Sequence, residues 1–157
     1  MEALQSQLLR AWQIHEDKNR ALIDCVKQAG LESSLSTRGG RTVGQQLVHV
    51  VAVRRSVLER MRKDLLADVP ELAREQGHDR ELLRDAFSAS SRAIEHLIEQ
   101  APADGQVKMF NGGLATFVAY LVAHESHHRG GIVLTLKQAG QPLSKDDSWK
   151  LWGWSKG

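Results

Sequence analysis

Apolar residues recur along most of the chain at intervals of three and four, the period of an amphipathic helix. Leu4, Leu8, Ala11, His15, Leu22 and Val26 trace a first segment, roughly residues 2–29, that stops at Gly30. After the loop SSLSTRGG, a second segment opens at Thr42, with Gln45 placed to complete a capping box. It runs to about residue 67 and carries Leu47, His49, Val50, Val53, Val57 and Met61. Pro70 and Gly77 break the pattern. A third segment, roughly 79–100, presents Leu83, Phe87, Ile94 and Leu97 on one face. A fourth, roughly 114–139, follows Asn111-Gly112-Gly113 and ends at Gly140 and Pro142.

No stretch alternates with period two, and no internal repeat or low-complexity tract appears. The pattern predicts an all-α four-helix bundle, with residues 1–157 forming a single domain. Its expected core is Leu4, Leu8, Leu22, Val26, Leu47, Val53, Val57, Leu83, Phe87, Ile94, Leu97, Phe117, Leu121, Ile132 and Leu136. The tail that follows is too short for a domain, and Trp149, Trp152 and Trp154 are expected to pack back on the bundle or at a dimer contact.

Composition narrows the function. With 157 residues, 41% hydrophobic and 25% charged, the chain can bury a core and is not disordered. A formal net charge of +2 is too balanced for a dedicated nucleic-acid binder. No apolar run is long enough for a membrane span, and the N-terminus lacks the apolar region of a secretion signal. The lone Cys25 excludes an intrachain disulfide and has no basic neighbour to activate it, so it reads as structural. Together these predict a cytoplasmic protein with neither nucleic-acid nor membrane partners.

Seven histidines are more than composition explains, and His124, His127 and His128 crowd one turn and a little more. Phe117, Leu121, His124, His128 and Ile132 share one stripe of the fourth helix, which puts His124 and His128 among core residues. Two imidazoles one turn apart can aim nitrogens at one point, and a metal ion is the partner that makes their burial economical. A catalytic ion needs a third ligand. His49, on the row His49–Val53–Val57, is the preferred candidate, and His127, at the edge of the stripe, is the competitor. His15 and Asn19 interrupt the first helix's stripe as pocket-lining or plain buried polar groups, while His78 and His96 read as solvated. Glu125 either orients a ligand or faces solvent. The basic run Arg54-Arg55, Arg60, Arg62-Lys63 reads as a solvated helix face.

His124-Glu125-Ser126-His127-His128 also fits H-E-x-x-H, the zinc-peptidase signature. The longer metzincin form wants a histidine where Leu134 stands, and none of the 29 residues after His128 is Glu. No strand is available to bind an extended peptide. A peptidase is therefore not expected.

The helix order, Leu47-Val48-His49-Val50, and the run from His124 to Ile132 with Arg129-Gly130-Gly131 resemble the DinB-like family of metal-binding four-helix bundles. The resemblance covers nearly the whole chain, although Gly131 stands where the family commonly has Gln. It implies a divalent transition metal, zinc or nickel, held by His49, His124 and His128. It also implies frequent homodimers and, in characterised relatives, transferases and isomerases that use low-molecular-weight thiols. The leading expectation is a metal-dependent thiol S-transferase acting on a small-molecule electrophile. A metal-dependent small-molecule hydrolase and a non-catalytic metal-binding bundle are the alternatives.

Overall fold

A computed structural model describes residues 2–35 and 40–154. Residues 36–39 of the predicted first loop and 155–157 of the tail lie outside the described residues. Four long helices form: α1 (Glu2–Cys25), α2 (Val43–Met61), α3 (Arg80–Glu99) and α4 (Gly113–Gln138), with a short α5 (Lys145–Lys150) in the tail. Both α1 and α2 pack on α3 and α4, and α5 rests on α1. Among the described residues there is no strand, only an isolated bridge between Val107 and Phe110. No described helix is long and apolar enough to cross a membrane.

The ends follow the local chemistry. Thr42 and Gln45 form the predicted capping box, with reciprocal bonds of 3.1 and 3.2 Å. Asp79 caps α3 by accepting from the Leu82 N–H at 3.0 Å. Two predicted ends are too late. The chain leaves α1 at Cys25 and turns through a 3₁₀ segment, Gln28–Glu32, which buries Gly30 and Leu31. It leaves α2 at Met61 and re-forms as a 3₁₀ turn, Lys63–Leu66. Another 3₁₀ turn, Arg74–His78, brings Gly77 against Gly44 so closely that a Cβ on Gly44 would lie 1.9 Å from the Gly77 carbonyl oxygen. Gly44→Ala is therefore expected to cost about 1–3 kcal/mol, read as a lower urea midpoint with an unchanged helical spectrum.

The apolar core is divided in two. One cluster gathers Leu22, Val26, Val43, Leu47, Val51, Leu83, Phe87, Ile132 and Leu136; the other gathers Trp12, Leu58, Ile94, Leu97, Ile98, Leu114, Phe117 and Leu121. Between them, on all four long helices, lie buried polar residues: His15, Glu16 and Asn19 on α1, Arg54 on α2, Ser90 and Ser91 on α3, and Glu125 and Arg129 on α4. The structure corrects several expectations. Arg54, expected on a solvated face, is completely buried, and Val53 beside it is only half-buried. Leu4 is 50% exposed and Leu8 half-buried, because the first turn of α1 lies at the bundle end, where Gln5 donates to the last carbonyls of α3. Trp149 and Trp152 do not pack back. They are 66% and 75% exposed, and the tail is anchored by Leu151, with Trp154 partly covered beside His15.

Candidate metal centre

The core-facing row of α2 is Leu47, Val51, Arg54 and Leu58, and that of α4 is Leu121, Glu125, Arg129 and Ile132. Charged residues hold core places in both helices: Arg54 in α2, and Glu125 and Arg129 in α4. His49, His124 and His128 are thereby rotated about 100° or less from the core direction and stand on its flank. The expectation that His124 and His128 point into the apolar core is corrected accordingly: all three are half-buried, at the α2–α4 seam. An open metal site needs that placement, because the ion must be reachable by a second molecule.

The three imidazoles converge. Ring centroids are 5.5 Å apart for His49 and His124, 4.9 Å for His49 and His128, and 4.7 Å for His124 and His128. One ring nitrogen from each lies within 4.8 Å of the others. Two zinc–nitrogen bonds end to end span about 4 Å, so side-chain adjustments of an ångström or so would bring the nitrogens around one ion. His124 Nδ1 is buried without a hydrogen-bond partner among the described residues. Such an orphan is costly, and metal coordination would satisfy it. Burial, and for His49 and His128 also the nearby Arg41 charge, pushes these imidazoles below their ordinary pKa, His128 to about 4. All three are neutral at pH 7, the form that ligates. His127 is exposed beside His128, with ring centroids 5.5 Å apart. It is not in the converging group. Tyr120, which sequence reasoning passed over, stacks on His124 at 6.0 Å.

A profile of the DinB family matches residues 1–154. The chain belongs to the DinB family. No curated protein and no solved structure matches it significantly. The α2 side chain of Gln46 places its amide oxygen 3.3 Å from where a Gly131 Cβ would stand. Gln46, Arg41, His127, His128 and Gly131 line a groove of about 290 Å³ beside the histidines.

Behind the histidines, Glu125 neither faces solvent nor reaches the cluster. Arg54 Nε and Nη2 each donate to it at 2.7 Å, Asn19 Nδ2 at 2.6 Å and His15 Nε2 at 2.8 Å. His15 is the Nε2–H tautomer, because its Nδ1 faces the Arg129 guanidinium at 3.4 Å and must accept. Burial, joined by the Arg129 and Arg54 charges, lowers its pKa. Glu125 opposes the same burial with Arg54 and these donors, and its pKa falls to about 2. His15 and Asn19 thus belong to this buried network, which clamps α4 to α1 and α2 one residue away from a ligand candidate.

Glu16 is the opposite case. Its Oε2 accepts from Arg54 at 2.6 Å, but Oε1 is buried without a partner among the described residues. Burial outweighs the Arg54 charge and raises its pKa from 4.5 to about 7. Between those values the folded chain keeps a proton that the unfolded chain has released. The stabilising contribution is therefore full below about pH 4.5 and lost as pH rises through 7. Glu16→Gln, which mimics the protonated form, is expected to stabilise the protein at pH 8 relative to pH 5. Parallel urea titrations of both proteins at the two pH values measure this, and an unchanged difference would refute it.

Proposed function

We propose that this DinB-family chain is a divalent-metal-dependent enzyme that transfers a small electrophile to a low-molecular-weight thiol, folding as a single cytoplasmic domain and acting as a homodimer. The observation that carries the reading is the convergence of His49, His124 and His128 beside a solvent-open groove that His128 lines. Three protein nitrogens leave positions open on zinc or nickel, whereas structural zinc usually has four closed protein ligands. When bound, the ion would supply Lewis acidity, favouring the thiolate of a bound thiol at neutral pH.

The chain's residues account for the rest of the reading. His49, His124 and His128 hold the ion as neutral donors. Arg41, on the groove wall, favours an anionic reactant there. Burial, with the neighbouring Asp147 carboxylate, raises the Cys25 thiol to about 11, so the nucleophile comes from outside. Hydrolysis of a small molecule at the same groove is the second reading, favoured by the same openness to water.

Turnover of electrophilic acceptors with low-molecular-weight thiols, and of ester substrates without them, tests both readings in metal-loaded and chelator-stripped protein. Metal-dependent transfer is expected, at an unchanged rate in Cys25→Ser. Equal rates with and without metal would overturn the mechanism, and absence of both reactions would leave a non-catalytic metal-binding bundle.

A further inference from the structure

A cavity of about 430 Å³ lies between α4 and the tail, walled by Ser126, Arg129, Val133, Leu151, Trp152 and Trp154. That volume is in the range of small-molecule sites. Positions 126, 129 and 133 lie roughly 180° around α4 from positions 124, 128 and 131. The cavity is thus on the opposite flank of the helix from the histidine groove. The metal reading does not use it.

Its polar wall is a cation that makes no direct ion pair. Arg129 is only 9% exposed. No carboxylate among the described residues lies within ion-pair distance of it, and both carboxylates of the same layer, Glu16 and Glu125, are bonded to Arg54. Arg129 Nη1 donates to Asn19 Oδ1 at 2.6 Å and faces His15 Nδ1 at 3.4 Å, while Nη2 donates to Ser126 Oγ at 2.8 Å. A guanidinium has five N–H donors, so Nε and one Nη2 hydrogen have no protein acceptor among the described residues. Burying a guanidinium without an anion is costly, and planar paired donors suit a carboxylate. Apart from Ser126 and Ser148, the remaining walls are apolar. Leu151 is buried, whereas the Trp152 indole is largely exposed beside the cation, ready to cover an apolar body.

We propose that this cavity binds a small carboxylate carried on an apolar or aromatic body, with Arg129 taking the carboxylate and Trp152 and Trp154 covering the body. Phenylacetate is the probe, and phenylacetamide, its neutral counterpart, is the control. The indole N–H resonances of the full chain are followed by nuclear magnetic resonance, with and without metal. Saturable shifts are expected at Trp152 and Trp154, with phenylacetamide at least about tenfold weaker. Chelation should leave binding unchanged, because the histidines do not line this cavity. Arg129 is tied into the buried layer, so its removal risks the fold. Gly130→Phe is the safer variant, since Gly130 lines the cavity and a Cβ there meets nothing within 4 Å. It should block binding without changing the helical spectrum. Equal affinity for acid and amide, unshifted indoles, undiminished binding in Gly130→Phe, or binding lost on chelation would each overturn the proposal.

Discussion

Arg54→Met is expected to lower the unfolding free energy by about 3–5 kcal/mol, and the melting temperature by roughly 10 °C in a chain of this size. Arg54 is fully buried and all five of its N–H donors are used: three on Glu125 and Glu16, at 2.6–2.7 Å, and two on the Phe87 carbonyl and Ser90 Oγ, at 3.2 and 3.1 Å. Its guanidinium also sits 4.9 Å from the Trp12 ring centroid and 4.8 Å from that of Phe87. Methionine fills much of the volume but leaves Glu125 as a buried anion whose main cation is gone. Arg129 does not replace it in this arrangement, because it makes no ion pair with Glu125 and is held by Asn19 and Ser126. The loss should therefore come mainly from the stranded carboxylate. A double-mutant cycle separates this from lost packing: Arg54→Met with Glu125→Gln should be less destabilising than the sum of the single changes by at least about 1 kcal/mol. Additive effects would mean that the two groups do not act as a pair.

The same ionic layer explains what was legible in the sequence. The four long helices, their order and the Thr42 cap follow from local signals: spacing, caps and breakers. Most of the predicted apolar core is buried as well. The stripe was misplaced where a charge replaces an apolar residue. Arg54 lies three residues after Val51 and four before Leu58, a core position by period. It sits in a basic run, however, and composition favours reading such a run as solvated. Its buried carboxylate partners, Glu16 and Glu125, lie 38 and 71 positions away. No local pattern shows a pairing that remote. On α4, Glu125 likewise displaces His124 from the core row to the flank. The histidines were thus identified by residue type and spacing, although the environment inferred for them was wrong. Flank placement makes better sense of three imidazoles than core placement does, since it leaves one side of the cluster open to the groove.

His49→Ala is expected to weaken divalent-metal affinity by more than about 100-fold, the upper end of what losing a mere supporting residue costs. The reason is geometric. His124 and His128 come from one helix and approach the ion from one side, whereas His49 closes the group from α2, with its ring centroid within 5.5 Å of both. Because His49 is half-buried and makes no hydrogen bond among the described residues, its removal should change the stability of the metal-free fold little. The two effects separate in a melting experiment. Zinc or nickel at about 100 times its dissociation constant should stabilise the native chain by about 2.7 kcal/mol. The same concentration should leave His49→Ala almost unmoved, although both metal-free proteins melt alike. His127→Ala, lacking an exposed residue outside the converging group, should keep the full shift. If His49→Ala retained the metal shift and His127→Ala lost it, the ion would be held by the α4 histidines alone, and the cross-helix site would be wrong.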